Sequence, residues 1–400
     1  MKINFERWVV IGSIAGLSLG VVPLTAMEDV YIDEVPDYEW EYGCFGTATG
    51  NLFGFWDRSG FPNFYTGPTE GGLAPLDSRQ SLEHSGIQSL WASAAGVDGR
   101  PSNLPGHVDD YYAAYESVAP DPYIRASRVE HKADCIGDFI GLNQNKWSSL
   151  NGECRGNIDG YSFTYWEKTG ARRWAKPGFE TAVIAAADIP SGLIQWSRHR
   201  GYEAESFCQM PSFHPAVAAG RGFTFTDLKK EIDAGYPVLL FHQPTLEINR
   251  TVNGVPEVNP EMHGMLAFGY LVQNDGKQYV RFRTSWGTGD NFAEWSLAKM
   301  VPPGIGALKL RGVIGYHPKP KIQSIRREKT DLLLDWSGPD AKLVDSISGE
   351  RRSANVYVVE RSEALSGSPW SLVEGFLSGN QFRFPAPTTG TPHFYRVRLL

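Results

Sequence analysis

Cys44 and His263 are the residues in this chain whose type, order and surroundings could perform nucleophilic chemistry. A thiol attacks a carbonyl carbon when a base removes its proton, a third group holds that base in one orientation, and N–H donors receive the developing oxyanion. Cys44 follows Gly43 and opens a run of small and apolar residues to Asp57 that reads as a helix. The unpaired amides and the dipole at a helix N-terminus favour a thiolate and lower a pKa that otherwise sits near ~8.5. His263 opens His263-Gly264-Met265-Leu266-Ala267-Phe268-Gly269-Tyr270, which reads as a strand whose start can aim an imidazole. His107, His214 and His242 are its rivals among the other histidines, and a lone histidine is more often structural.

The elements that must position this pair follow from periodicity. The segment from Gly46 to Trp56 carries three glycines, so its propensity is poor and packing must hold it. Pro190–His199 and Asp227–Ala234 read as helices, the second capped by Thr226 and stopped at Gly235. Val238–Phe241, Met265–Val272, Tyr279–Arg283 and a closing Leu308–Tyr316 read as strands. Val30–Trp40 reads as an acidic approach loop or edge strand, and helical pieces are expected between Ser78 and Tyr115. Helices followed by a sheet give an α+β expectation.

The chain has 400 residues, 42% hydrophobic, with a net charge of -7. That length predicts two domains, and the acidic balance excludes nucleic acid as a main partner because no basic cluster would release counterions. Lys2 and Arg7, the apolar run Trp8–Leu24 and the small residues to Ala26 predict a signal peptide over 1–26, hence a secreted, periplasmic or cell-surface protein. An oxidising compartment allows disulfides among Cys44, Cys135, Cys154 and Cys208, with three connectivities open. Cys135 with Cys154 is the favoured bridge, and pairing of Cys44 is the alternative to a nucleophile. Asp109, Asp110, Asp134, Asp138 and Asp159 match no calcium loop and read as caps and loop acids, so no metal and no cofactor is expected.

The next strand ends Arg283-Thr284-Ser285-Trp286-Gly287, and here the chain resembles the papain-like cysteine peptidases, in particular the bacterial branch similar to bacteriocin-leader-processing peptidases. The matching residues are Gly43-Cys44, Phe55-Trp56-Asp57, His263-Gly264-Met265 with Gly269-Tyr270, and Trp286, with further similarity at Asp134–Phe139 and Glu231–Val238. The resemblance covers most of residues 30–316. It implies a papain-like domain, a helical half plus an antiparallel sheet, over 27–317, with Cys44 as nucleophile, His263 as base and a peptide or protein as substrate. Two positions depart from the pattern. Thr284 stands where the family has its histidine-orienting Asp or Asn, and Tyr38, six residues before Cys44, stands where a glutamine completes the oxyanion hole. Thr284 can offer a hydroxyl and Tyr38 a phenol, while Asp290 and Asn291 are alternative orienters. A degenerate, peptide-binding relative is the competing expectation, and amidase or acyltransferase chemistry would use the same residues.

The polar insertion from Gln243 to Met262 is expected to be a lid, a specificity loop or a solvated excursion, and Asn249-Arg250-Thr251 fits a glycosylation pattern weakly. After Pro318-Lys319-Pro320 only strand-like runs remain. Residues 318–400 therefore predict a small all-β sandwich. Through Leu332–Trp336, Tyr357–Ser362, Pro369-Trp370 and Phe394–Val397 it resembles fibronectin type III modules, which implies Trp336 and Trp370 in its core and a role in spacing or cell-surface attachment.

Overall fold

The computed structural model of the chain describes residues 26–39, 44–64, 73–77, 136–140, 169–175, 189–215, 217–244, 250–252, 255–257, 263–295, 299–300, 308–387 and 392–400. All of the expected signal peptide (1–26) except Ala26, the helical pieces expected between Ser78 and Tyr115, Cys135, Cys154, His107 and the loop acids at 109, 110, 134 and 159 lie outside these residues, as does the side chain of Asp138.

Strand outweighs helix by 45% to 17% of the described residues. The expected α+β architecture, a papain-like helical half beside an antiparallel sheet, is thereby corrected to a mostly β fold. Three helices of full length occur among the described residues: α1 (Cys44–Arg58), α3 (Ile189–His199) and α4 (Phe225–Asp233), with α2 (Ile136–Ile140) a short turn between the first two. A helix is expected from the sequence at each of the three, but non-local strand pairing carries most of the ordered backbone.

The strands of the first part are β1 (Ala26–Ile32), β2 (Arg173–Trp174), β3 (Ala204–Gln209), β4 (Val238–Pro244), β5 (Arg250–Val252), β6 (Val255–Glu257), β7 (His263–Gln273), β8 (Gln278–Arg283), β9 (Asn291–Glu294), β10 (Lys299–Met300) and β11 (Leu308–Pro318). The second part adds β12 (Lys321–Glu328), β13 (Asp331–Ser337), β14 (Lys342–Asp345), β15 (Arg351–Ser353), β16 (Tyr357–Ser362), β17 (Ser371–Leu377), β18 (Gln381–Pro385) and β19 (Phe394–Leu399). The largest sheet runs β15-β14-β1-β7-β4-β11-β3-β2, with β8 and β9 branching from β7 and β10 pairing β11. β7 is its hub: residues 263–267 pair with β4, 269–273 with β1, and 266–272 with β8.

Two local expectations change with this topology. Val30–Ile32 belong to a strand held between β14 and β7 and are no edge, while the described residues 33–39 form the expected approach loop. β11 does not close the sheet but lies between β4 and β3. The reason in both cases is pairing partners far away in sequence, which a local pattern does not encode. The helix α4 begins two residues earlier than Thr226 suggests, because Thr224 and Asp227 form a capping box in which each side chain accepts from the other's backbone N–H. Within the insertion at 243–262, β5 and β6 form a hairpin.

Helix α1 is buried from Cys44 to Asp57. Three glycines would each weaken a solvent-exposed helix by about 1 kcal/mol. Burial offsets this: Leu52, Phe53, Phe55 and Trp56 are fully enclosed, each contributing roughly 1.5–3 kcal/mol. Phe53 meets Phe64, Trp196 and Tyr316, while Trp56 meets Phe61 and Tyr236.

Sheets β12-β13-β18 and β17-β16-β19 share a core of Leu334, Trp336, Tyr357, Val359 and Phe384. Trp336 is in that core, whereas Trp370 is half-buried with the Arg396 guanidinium 4.4 Å from its ring centre. The hairpin β14-β15, between these strands in sequence, leaves the sandwich and extends the large sheet through β1. Gly338 and Asp340 also donate backbone N–H groups to Gly60 and Ser59 at the end of α1. The two parts of the chain are thus joined by shared sheet and backbone hydrogen bonds, not by a free linker.

Candidate functional site

Cys44 is the first residue of α1 and is 4% exposed. The first-turn amides of a helix have no partners within the helix itself, and those of α1 lie at the same end as the thiol. Cys44 and Cys208 both carry thiols. His263 is the first residue of β7 and is also buried. The two elements are brought together one residue further along each. Phe45 packs against Phe241 with ring centres 4.6 Å apart and planes tilted by 34°, and a Cβ on Gly264 would come within 2.6 Å of the Phe45 ring. Only glycine at 264 allows this approach, which sets the start of α1 against the start of β7.

The imidazole of His263 is held on two sides. Its Nε2 lies 2.7 Å from the backbone carbonyl oxygen of Thr284. A carbonyl can only accept, so Nε2 carries the proton and Nδ1 keeps the lone pair. The ring of Trp286 stacks on the imidazole at 3.9 Å between centroids and 10° between planes. Burial pushes the His263 pKa down to about 4, against the opposing effect of the Thr284 hydrogen bond. At neutral pH the ring is therefore an uncharged base.

Thr284 orients His263, but through its main chain. Its hydroxyl is 2.6 Å from that of Thr288 and accepts from the Trp286 N–H at 3.3 Å. Asp290 and Asn291 have other partners. Asp290 pairs with Arg283 at 2.6 Å and Arg281 at 3.7 Å, and Asn291 donates to the Thr288 hydroxyl and the Gly289 carbonyl. Tyr38 is buried beside the middle and far turns of α1: its N–H donates to Asn51 and its phenol to the Pro75 carbonyl at 2.7 Å. A Cβ on Gly54 would meet that phenol at 2.5 Å. Gly54 is ten residues beyond Cys44, roughly 15 Å along a helix, so the phenol points to the opposite end of α1 from the thiol.

Among the rivals, His214 lies beside Arg311, and burial together with the Arg311 and Lys309 charges lowers its pKa to about 4. His242 is the cross-strand partner of His263, 1% exposed, with its pKa pushed down by burial and then by the neighbouring imidazole. Its Nδ1 finds no hydrogen-bond partner among the described residues, and it borders a small cavity lined by Leu240, Val280, Ala293, Glu294, Trp295 and Leu310. Among the described residues no group of His, Cys, Asp and Glu side chains is arranged to hold a metal ion.

Sequence reasoning missed Asp37. Its carboxylate accepts the Gly289 N–H at 2.7 Å and so ties the loop after β8 to the approach to α1. Gly287 in that loop packs so closely on Glu39 that a Cβ would lie 2.8 Å from the glutamate side chain. An acid in a loop carries no signal for such a role. No family model matches the chain, and no curated protein matches it.

Proposed function

We propose that this protein is a thiol hydrolase that cleaves peptide bonds through Cys44 and His263, similar to the papain-like peptidases in the order and surroundings of its reactive pair and not in its fold class. The observation that carries this reading is the single orientation of His263. The Thr284 carbonyl fixes the tautomer, Trp286 fixes the ring plane, and the neighbouring residue packs on the residue after Cys44. His263 Nδ1 takes the Cys44 proton as the sulfur attacks the substrate carbonyl. First-turn amides of α1 receive the oxyanion, and Nδ1–H then protonates the leaving amine. Water, deprotonated by the same nitrogen, releases the acyl group and restores the thiol.

The N-terminal basic residues and apolar run support export, with peptides or proteins outside the cytoplasm as substrates. The C-terminal sandwich would then serve attachment or spacing. A second reading, a degenerate protein that binds peptides without cutting them, is favoured by one observation. The orienting group is a neutral carbonyl, which stabilises an imidazolium less than a carboxylate does. Incubating the protein with a broad peptide pool and reading products by mass spectrometry separates the two. Hydrolysis that vanishes in Cys44→Ala supports the enzyme, and intact peptides with both proteins overturn it.

A further inference from the structure

Ser285 stands between the two groups that hold His263, and its backbone is left-handed, with φ of +67°. Glycine, asparagine and aspartate adopt this conformation readily, whereas a serine in it is uncommon and carries strain. The strained residue is fully buried, and its hydroxyl donates to the Gly264 carbonyl at 2.9 Å. Gly264 is the residue that follows His263 and touches Phe45. One residue therefore does two things. Its left-handed turn lets the preceding Thr284 carbonyl and the following Trp286 ring converge on the same imidazole, and its side chain latches that turn to the strand carrying the imidazole.

We propose that Ser285 is a positioning residue for the Cys44–His263 pair, holding the Thr284 carbonyl and the Trp286 ring in register with His263 through its left-handed backbone and its bond to Gly264. This rests on the reading of Cys44 and His263 as a reactive pair. The remainder of the loop supports the same end. The Thr284, Thr288 and Asn291 side chains form a chain of hydrogen bonds, and Asp37 holds Gly289 from outside. Such a chain fixes the loop once the turn is made, but it lies on the side of Thr284 away from the imidazole. Beyond the two contacts on the imidazole itself, the bond from Ser285 to the Gly264 carbonyl ties the turn to the backbone of β7 beside His263.

The test needs no substrate. The rate at which iodoacetamide alkylates Cys44 is measured from pH 4 to pH 10 in the full chain, with Cys44→Ala defining the background from other thiols. Three variants are compared: Ser285→Ala, which keeps the strained backbone and removes the bond; Ser285→Gly, which keeps the left-handed backbone but removes its strain and the bond; and His263→Ala. Glycine accepts the left-handed backbone without strain, so Ser285→Gly remains folded even where Ser285→Ala does not. The expected result is that both serine variants slow alkylation about tenfold near pH 7, with the rate curve moving toward that of His263→Ala. A merely structural serine would change thermal stability and leave that curve in place, and this outcome overturns the proposal. If His263→Ala also leaves the curve unmoved, the reactive pair itself is refuted; if His263→Ala moves it and the serine variants do not, the role of Ser285 alone is refuted.

Discussion

The Thr284 carbonyl accepts the Nε2 proton of His263 at 2.7 Å while the Thr284 hydroxyl turns away to Thr288. A position that seemed to lack an orienting side chain supplies one from the main chain instead. Thr284→Val keeps the carbonyl and removes the hydroxyl. Cys44 alkylation should then fall less than about threefold, while stability drops by about 1–3 kcal/mol for the two lost hydrogen bonds. Alkylation rates and urea unfolding measure the two effects, and a drop of a hundredfold in rate would show that the hydroxyl is the functional group.

Gly264→Ala places a methyl group where the Phe45 ring lies, 2.6 Å from a ring carbon. Overpacking of this kind costs about 1–3 kcal/mol. Phe45→Ala should relieve it, so the double variant should be less destabilised than the sum of the two single changes. Urea midpoints for the four proteins give the coupling, and strict additivity would refute the contact.

Acid should weaken the fold through His263. The folded pKa is about 4 because the ring is buried, and the unfolded imidazole titrates near ~6.5. The unfolded state therefore takes up the proton first as pH falls. The stability contributed by the neutral ring is fully present above about pH 6.5, declines down to about pH 4 and stays lost below that, an effect on the order of 3 kcal/mol. His242 shifts in the same direction. In His263→Phe, unfolding free energies measured from pH 4 to pH 8 should lose a large part of this slope, and an unchanged slope would assign it elsewhere.

His242→Leu removes a buried ring nitrogen that has no partner among the described residues. Replacing an unsatisfied polar group with an apolar one of similar size should raise stability by about 1 kcal/mol. A loss of more than 2 kcal/mol in urea unfolding would reveal a hydrogen bond that the neutral ring makes.

A chain ending at Lys319 should not fold stably. It would lose β14, which covers β1, and the backbone bonds that Gly338 and Asp340 make to the end of α1. The full chain should unfold in one cooperative transition by calorimetry, and the shortened one should show none. Two separated transitions in the full chain would contradict the joint sheet.

Local information in the sequence determined the beginnings of the important elements. Glycine before Cys44 and an apolar run after it announced α1, and the apolar run after His263 announced β7. The change to short strands and turns after Pro318 announced the sandwich. Each of these depends on side-chain pattern over adjacent residues. The tertiary structure decided the rest. It made β1 an interior strand and moved β14-β15 into the first sheet, because partners hundreds of residues apart choose each other by packing. It replaced a helical half by a mostly β architecture. It turned the Tyr38 phenol toward Pro75, since Asn51 and Gly54 fix that residue beside the later turns of α1. Above all it decided which atom of Thr284 meets His263. Every residue carries a carbonyl, so no residue type could reveal that one, which stands immediately before the left-handed turn at Ser285.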